Sequence, residues 1–437
     1  MKIKVAYDIT FLGKFFSYSD NKVGVYRLTE ELLLELLKDQ NIDISLTSLC
    51  TDTPAFSSVN CQLYYNQFPQ KDFCKFINSF KSRFYLNWFY KLCLSTYYSK
   101  NFQSLPRYSW QSVLVRGFFK LLKLTSLTDY DNQQIFDSKK YDLIHSTYYK
   151  LPPKNLTGNT PRLITIYDLI PIKKPEFVTP PLTLYTQEIL KSINPETDWV
   201  VCISEYTHQE FCEYTGMHRD RTFVTYLAAD KNFYPVTNQE IINNINQKYQ
   251  IPNTPYFLCL ASHLDPRKNI PHLINTFVDL ISENPSLDVN LVLIGTTRYK
   301  RPDIEKTMQQ IAQYKSRIIL TGYVLDQDLS AIYSGAIAFV FPSLYEGFGL
   351  PILEAMQCGT PVISSNVTSL PEVVGDSGIL VEPQNQHQLK KAMLDILTNT
   401  SLQESLSQKS IFRAKQFSWE KCANETVEIY KKIIANK

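Results

Sequence analysis

The sequence predicts an α/β protein built from two doubly wound parallel-sheet domains that face each other across a cleft, and three observations support this. Its 437 residues suffice for two or three domains of about 100–200 residues each. An apolar run, a loop and a segment with apolar residues at helical spacing follow one another over residues 4–37. Similar apolar runs, typical of buried parallel strands, recur at 141–145, 162–167, 199–203, 256–261, 290–294, 317–321 and 336–341.

The domain boundaries follow from changes in composition. A polar region at 237–254, rich in Asn and Gln, precedes the second series of strands and helices. We therefore predict one domain over 1–235, a second over 236–415 and a terminal helix over 416–437. Ser418 is a candidate N-cap of that helix, which we expect to pack back toward the N-terminal domain.

Composition and charge exclude several classes of protein. The net charge is only +3, so bulk electrostatics give no reason to expect a nucleic-acid partner. Nine cysteines without a C-x-x-C pair indicate neither a disulfide framework nor a zinc site. The N-terminus lacks the apolar core of a signal peptide, and no stretch reaches the roughly 18 apolar residues that span a bilayer. We therefore expect a cytoplasmic protein, which can still lie on a membrane.

The stretch 71–125 departs from the α/β pattern. Between residues 71 and 123 it carries ten Lys or Arg and a single acid, Asp72, with many aromatic residues interleaved. Basic, aromatic and amphipathic segments suit the interface of an anionic membrane, such as the inner face of the cell membrane. The alternative is an inserted pair of helices whose aromatic rings pack on the domain core while the basic side chains are solvated.

The most informative segment follows the predicted strand that ends at Phe341. A loop with glycines at 347 and 349 leads into a helix that opens near Leu350 and Pro351. Glycines let the backbone approach a ligand closely, and proline suits the first turn of a helix. Because the free amides at a helix start bind anions, this loop can hold a phosphate or a sugar oxygen without a side chain.

Two carboxylates and two cations accompany this loop. Glu346 and Glu354 flank the turn, and carboxylates accept hydrogen bonds from the vicinal hydroxyls of a ribose or a hexose. For Glu354 the alternative is an acid that only stabilises the helix dipole. Arg267 and Lys268 follow another predicted strand, at the end where open α/β sheets bind ligands, and can neutralise a leaving diphosphate. The alternative for them is an ordinary solvated basic pair.

Together these two clusters resemble the retaining glycosyltransferases of family 4, which have the GT-B architecture of two Rossmann-like domains. Residues 346–354 match the family's E-x7-E motif, within a nearly complete F-P-S-x-x-E-G-F-G-L-P-x-x-E-A-M context that begins at Phe341. The sequence Pro-Arg-Lys-Asn at 266–269 is similar to the family's phosphate loop. The resemblance is strong over about 256–420 and weaker over parts of 1–230.

The resemblance implies a role for each matching residue in binding a nucleotide-diphospho-sugar, the donor. Glu354 would hold the ribose, and Glu346 would contact the hydroxyls of the donor sugar. Arg267 and Lys268 would bind the diphosphate and, with Glu346, act in catalysis. The remaining implied donor contacts are Gly347, Phe348, Gly349 and Leu350 in the loop, Tyr323 and Val324 near the base, and Ser262, which stands where a glycine is common.

In the N-terminal half the matches are weaker. The glycine loop that contains Gly24 and Arg27 is similar to one that faces the donor phosphate across the cleft. His145 resembles a residue on the acceptor side, where it would contact the acceptor or take part in catalysis; the alternative is a histidine satisfied at the edge of a sheet. Tyr167 and Asp168 also fall on the acceptor side, and Tyr167 stands where many members have histidine.

The implied reaction moves a hexose from the nucleotide-diphospho-sugar to a hydroxyl of a glycan or lipid-linked glycan, with retention at the anomeric carbon. We expect no essential metal or other cofactor, because Arg267, Lys268 and helix-start amides can take the charge of the leaving group. The stretch 168–171, with Glu176, resembles bacterial mannosyltransferases of surface polysaccharides, which favours GDP-mannose; UDP-glucose and a rhamnose donor stay open. The other hypotheses are a GT-B-like epimerase and a sugar-nucleotide-binding scaffold with a decayed acceptor site.

Overall fold

A computed structural model describes residues 2–16, 24–49, 54–77, 109, 110, 113, 114, 117, 136–261, 265–295 and 302–436. Over these residues the chain forms two α/β units, one built on a sheet of seven strands and the other on a sheet of six. Most of the basic aromatic stretch at 71–125 lies outside the described residues, as does Ser262. The predicted α/β class with two parallel sheets is confirmed.

The first sheet contains β1 (Ile3–Asp8), β2 (Ile42–Thr47), β3 (Lys75–Ile77), β4 (Leu143–Ser146), β5 (Arg162–Ile166), β6 (Trp199–Cys202) and β7 (Thr222–Val224). They stand in the order β3-β2-β1-β4-β5-β6-β7, and all neighbours are parallel. Val5 of β1 pairs with Ile44 of β2 on one side and with Leu143 of β4 on the other. Because the strand order reverses between β1 and β4, the loops that follow these strands diverge and leave a crevice at their carboxyl ends.

The second sheet contains β8 (Tyr256–Leu260), β9 (Asn290–Ile294), β10 (Ile318–Gly322), β11 (Ala338–Phe341), β12 (Val362–Ser365) and β13 (Ile379–Val381). Their order is β10-β9-β8-β11-β12-β13, again with parallel neighbours. The central strand β11 is buried at all four residues, as expected for a strand that is covered on both faces. This order reverses between β8 and β11, which places the second crevice there.

Helices flank both sheets. Those of the first unit are α1 (Thr10–Phe16), α2 (Val25–Leu36), α3 (Pro54–Gln67), α4 (Lys154–Thr157), α5 (Ile170–Lys173), α6 (Pro180–Ser192) and α7 (Glu205–Thr215). The rest are α8 (Gln239–Lys248), α9 (Ile270–Glu283), α10 (Pro302–Gln310), α11 (Asp326–Gly335), α12 (Leu350–Gln357), α13 (Leu370–Val374), α14 (Gln386–Thr398), α15 (Thr400–Ala414) and α16 (Trp419–Ala435). Within the described ranges, no helix is both long and apolar enough to cross a bilayer.

The last helix, α16, packs on the first unit. Its N-cap is Ser418, whose hydroxyl accepts a hydrogen bond from Lys421 N at 3.0 Å. Val427 and Tyr430 of α16 are buried in one apolar cluster with Val5 of β1. Burying these side chains removes apolar surface from water, so the chain terminus stabilises the N-terminal unit.

Five strands were not predicted, and they are the ones with the weakest local patterns. β3, β7 and β13 are three residues long, and each is an edge strand of its sheet. β2 alternates apolar with polar residues, and β12 ends in two serines. A short or polar strand has little hydrophobic periodicity, so the local sequence does not predict it. Such a strand forms because it pairs with a neighbouring strand that is distant in sequence. β3 also lies within the stretch 71–125, so the described start of that stretch, a 3-10 helix at Lys71–Phe73 followed by β3, contributes a strand to the sheet.

A buried hydrogen-bond chain links α16 to the first sheet. His145 of β4 is inaccessible to solvent; its Nδ1 lies 2.7 Å from Tyr430 Oη, and its Nε2 lies 2.9 Å from Thr165 Oγ1. Burial lowers the pKa of His145 to about 3, because it penalises the charged ring. The imidazole is therefore neutral at pH 7.

We expect acid to destabilise the protein through His145. The unfolded chain binds a proton at its ordinary pKa near 6.5, whereas the folded chain excludes it until about pH 3, so stability falls as the pH drops below 6.5. From pH 7 to pH 5 this one group removes about 2 kcal/mol of unfolding free energy. Urea unfolding of wild type and His145→Gln at both pH values checks this. Equal losses in the two proteins would show that His145 is not the group responsible.

Candidate active site

The candidate site lies where the carboxyl ends of β8 and β11 meet in the second sheet. The loop after β8 turns through a short 3-10 helix, Pro266–Lys268, and Asn269 then takes a left-handed conformation (φ 58°) before α9 begins. The loop after β11 runs to Gly349, whose φ of 109° favours glycine, and leads into α12. The two loops are joined, because Leu344 N donates to Arg267 O at 2.7 Å.

The carboxylate of Glu346 lies at the centre of the site. Its Oε1 accepts hydrogen bonds from Lys268 Nζ at 2.6 Å and from Ser343 Oγ at 2.7 Å. Its Oε2 accepts one from Arg267 Nη1. Burial opposes ionisation of Glu346, but the charges of Lys268 and Arg267 outweigh it, so the pKa of Glu346 lies below its ordinary value. The predicted basic pair is thus not solvated: it holds a buried, ionised carboxylate.

Arg267 connects three parts of the site. Besides Glu346, its guanidinium contacts Asp265 Oδ2, 2.7 Å from Nε, and Tyr345 O, 2.9 Å from Nη1. The planar guanidinium has five N–H donors, so it can hold these oxygens at the same time. Asp265, which sequence reasoning missed, therefore fixes the orientation of the cation next to Glu346.

Glu354 is paired with a residue of the other unit. It lies in the first turns of α12, is buried, and accepts a hydrogen bond from Arg27 Nη2 of α2. Tyr333 Oη lies 3.5 Å from its second oxygen. Burial raises the pKa of Glu354, and the charge of Arg27 acts against this rise. Two residues predicted to bind the donor from opposite sides of the cleft are therefore in direct contact.

The loop between the two glutamates presents backbone amides. Among the described residues, no hydrogen bond uses the N–H group of Phe348, Gly349 or Leu350. The ring of Phe348 is buried and lies 6.1 Å from the ring of Tyr226 and 6.0 Å from that of Phe417. Phe348 thus contributes its side chain to the core and its backbone to the site. Free amides at the start of α12 are suited to an anion.

A cavity of about 370 Å³ adjoins the cluster on the side of the first unit. Its polar lining comes from both units: Tyr167 and Asp168 lie after β5, and Asp265 and Arg267 lie after β8. The Oδ1 atom of Asp168 accepts a hydrogen bond from Ile170 N at 2.9 Å, and burial raises the pKa of Asp168. The Tyr167 hydroxyl lies 3.1 Å from Thr29 Oγ1 of α2, so its ring is held at the cavity wall.

The other predicted residues are more scattered. His145 lies inside the first unit with both ring nitrogens occupied, which favours the alternative of a histidine satisfied within the sheet. Gly24 has a φ of 64° and precedes α2, so it starts the helix that carries Arg27. After β10, Val324 is buried while Tyr323 is 41% exposed. Ser262 belongs to the residues that are not described.

Several contacts across the cleft were not predicted. Ser204 Oγ donates to Gly347 O at 2.8 Å, and Tyr345 Oη donates to Glu210 Oε2. Glu372 accepts hydrogen bonds from two backbone amides at the start of α7. Because Ser204 stands directly before a helix, the sequence identifies it as a candidate helix cap. The sequence does not show that its hydroxyl also binds Gly347. These contacts hold the two units against each other around the loop that follows β11.

Two family models match the chain. Glycosyl transferases group 1 matches residues 241–412, and Glycosyltransferase Family 4 matches residues 103–233. O-antigen chain mannosyltransferase B of Escherichia coli is 33% identical over 298 residues, which cover 68% of this chain and 75% of that protein. The chain belongs to glycosyltransferase family 4. It is an enzyme of the glycosyltransferase class, as the matches at 346–354 and 266–269 predicted.

A further relative agrees with this family, and solved structures show the same fold. The serotype-specific mannosyltransferase WbdA of Escherichia coli is 30% identical over 299 residues, which cover 66% of this glycosyltransferase but only 36% of WbdA. A glycosyltransferase from Rickettsia africae superimposes with a TM-score of 0.61 at 17% identity, covering 100% of both chains. WaaG superimposes with a TM-score of 0.58 at 12% identity, covering 98% of this chain and 99% of that one. The GT-B architecture is therefore confirmed.

We expect Gly347→Ala to impair the glycosyltransferase by separating its two units. A Cβ at this position would lie 2.5 Å from Tyr167 O and 2.8 Å from Asp168 Cβ, so the backbones would have to move apart. A misplacement of about 1 Å can cost about 100-fold in turnover. Donor turnover and urea unfolding, measured for wild type and for Gly347→Ala, check this. Gly117→Ala, where a Cβ meets no atom of a described residue within 4 Å, is the matched control. Unchanged turnover in Gly347→Ala would refute the close-contact argument.

Proposed function

We propose that this glycosyltransferase moves mannose from GDP-mannose to a hydroxyl of a glycan or lipid-linked glycan during synthesis of a surface polysaccharide, with retention at the anomeric carbon. The observation that carries the proposal is the buried cluster of Glu346 with Arg267 and Lys268 beside free amides. Relatives at 30–33% identity are named as mannosyltransferases of O-antigen chains or serotype-specific mannosyltransferases, which supports the sugar and the pathway class.

The cluster has the charges that a diphosphate needs. Glycosyltransferases of this fold use nucleotide-sugar donors, and the solved structure of HepE from Anabaena, with a TM-score of 0.61, contains UDP. In our proposal the donor diphosphate lies between Arg267, Lys268 and the amides of Phe348, Gly349 and Leu350. Cations and amides held in a buried site stabilise the charge that develops on the leaving group. This is why we propose transfer without an essential metal.

The contact between Arg27 and Glu354 supports a second part of the proposal. Each residue neutralises the other in the cleft between the two units. When the donor enters, its ribose hydroxyls donate to Glu354, and Arg27 is released to contact the phosphates. Because one partner of a buried pair is replaced by another, no buried charge is left alone at any stage.

The transfer step requires no protein base in this scheme. The bond from the anomeric carbon to the diphosphate breaks, and a bond from that carbon to the acceptor oxygen forms on the same face. The proton of the acceptor hydroxyl passes to an oxygen of the leaving phosphate. The acceptor occupies the cavity next to Arg267, where Tyr167 supplies an aromatic wall and Asp168 accepts a hydrogen bond from a sugar hydroxyl. Closure of the two units excludes water and so limits hydrolysis of the donor.

A donor assay tests this function. Purified enzyme is mixed with GDP-mannose, UDP-glucose, UDP-galactose, UDP-N-acetylglucosamine or dTDP-rhamnose, once without and once with EDTA, and binding and slow hydrolysis are measured. We expect GDP-mannose to bind and be hydrolysed. We expect Arg267→Ala and Glu346→Gln to lower hydrolysis about 100-fold, because the first removes a cation that we propose to bind the diphosphate and the second removes the anion that holds Arg267 and Lys268 in place. Glu283→Gln, which changes a partly exposed pair with Lys390, is the matched control.

The outcomes separate the parts of the proposal. Binding of none of the five donors would contradict a nucleotide-sugar enzyme. Turnover of a different donor would replace GDP-mannose and leave the transferase assignment intact. Activity that EDTA abolishes would contradict transfer without a metal.

We also propose that the stretch 71–123 contacts the anionic inner face of the membrane. Val113 N donates to Ser109 O at 2.9 Å, a helical bond that places Trp110, Val113 and Leu114 on one side of a turn. These three side chains are 70%, 54% and 63% exposed, which is unusual for large apolar residues. Ten basic residues and one acid in the same stretch supply the complementary charge for anionic lipid.

Vesicle sedimentation tests the membrane contact. We expect the enzyme to sediment with vesicles of phosphatidylglycerol and phosphatidylcholine but not with phosphatidylcholine alone, because basic residues near an anionic surface contribute about 1 kcal/mol each. The triple variant Trp110→Ser, Val113→Ser, Leu114→Ser should sediment several-fold less. A control variant, Phe412→Ser, removes a side chain of similar exposure from the second unit and should sediment like wild type. Equal sedimentation of wild type with both vesicles would refute the proposal.

A further inference from the structure

Two hydroxyls of the first unit bind one carbonyl in the loop of the second. Ser204 Oγ donates to Gly347 O at 2.8 Å, and Thr207 Oγ1 lies 3.3 Å from the same oxygen as a second donor. Ser204 is also the N-cap of α7, since its Oγ accepts from Thr207 N at 3.1 Å. The serine hydroxyl can do both, because it has one proton to donate and lone pairs to accept with.

This contact determines the direction of the following amide. The peptide between Gly347 and Phe348 is trans, as are all peptides described. In a trans peptide the C=O and N–H groups point to opposite sides. Since Gly347 O points to α7, the N–H of Phe348 is directed away from α7, and no described residue accepts a hydrogen bond from it.

A second pair of contacts holds the loop from the other side. Glu372 of α13 accepts from Glu205 N at 2.8 Å and from Tyr206 N at 2.7 Å, both at the start of α7. Ser369, which precedes α13, donates from Oγ to Glu346 O at 2.9 Å. The start of α7, the start of α13 and the loop after β11 therefore form one hydrogen-bonded assembly that crosses the cleft.

We infer that Ser204 and Thr207 are positioning residues of the donor site: they orient the Phe348 amide toward the donor diphosphate from the opposite unit. The inference rests on the proposed function, which assigns this amide to the diphosphate. Neither hydroxyl touches the donor. Because both belong to the first unit, the amide is held in its binding direction only while the two units are together. Closure of the cleft and completion of the donor site are thus the same event.

The experiment compares two double variants. Ser204→Gly with Thr207→Val removes both hydroxyls, and glycine keeps most of the N-cap while valine keeps the shape of threonine. Ser204→Thr with Thr207→Ser retains both hydroxyls and is the matched control. Calorimetry with GDP-mannose and with guanosine measures affinity, and hydrogen exchange of the segment containing Phe348 measures the loop without any ligand.

We expect the first double variant to bind GDP-mannose about tenfold more weakly, because one charge-assisted hydrogen bond to the diphosphate is lost. Its affinity for guanosine, which carries no phosphate, should stay unchanged, and exchange at the Phe348 segment should become faster. The control variant should match wild type in all three measurements. A merely structural role for the two hydroxyls would lower both affinities together.

Two results are to be told apart. If wild type binds GDP-mannose and the first double variant binds it within twofold of wild type, the positioning role is overturned while the proposed function stands. If wild type binds no nucleotide sugar, the proposed function is contradicted. Hydrogen exchange then still tests whether Ser204 and Thr207 hold the loop that contains Phe348, and unchanged exchange in the first double variant would contradict that role as well.

Discussion

The buried carboxylate of Glu346 is the constraint on which the rest of the site depends. A lone carboxylate without solvent access would lose its charge, because removing an ion from water costs several kcal/mol. Lys268, Arg267 and Ser343 offset that cost and hold the ionised form. Since the two cations follow β8 and the carboxylate follows β11, the same interaction fixes the two loops at the switch point of the second sheet.

The second constraint is the close contact between the two units. Gly347 has no room for a side chain against the backbone of Tyr167, so the loop after β11 touches the end of β5 directly. Arg27 contacts Glu354 and Ser204 contacts Gly347, and both Arg27 and Ser204 belong to the first unit. Each contact places a group of the first unit on a residue that we propose to be part of the donor site. The candidate site therefore lies at the interface between the two units, and neither unit contains all of it.

Two residues of the N-terminal unit that were predicted to lie on the acceptor side, Tyr167 and His145, have different surroundings. Where many members have histidine, Tyr167 binds Thr29 of α2 through its hydroxyl and forms a wall of the cavity. His145 is buried and has hydrogen bonds to Tyr430 of the last helix and to Thr165 of β5. Asp168, whose pKa is raised by burial, lines the same cavity from this unit.

By itself the sequence determined the alternation of strands and helices, the loop with Glu346 and Glu354, and the basic pair after β8. These features depend on local periodicity, turn residues and spacing, all of which are visible within a short stretch. Only the tertiary structure decided that Arg27 meets Glu354, 327 residues away, that Ser204 holds Gly347, and that His145 is buried. Such pairs depend on how the two sheets and the last helix pack against one another. A contact between residues that are distant in the chain produces no pattern in the sequence around either residue.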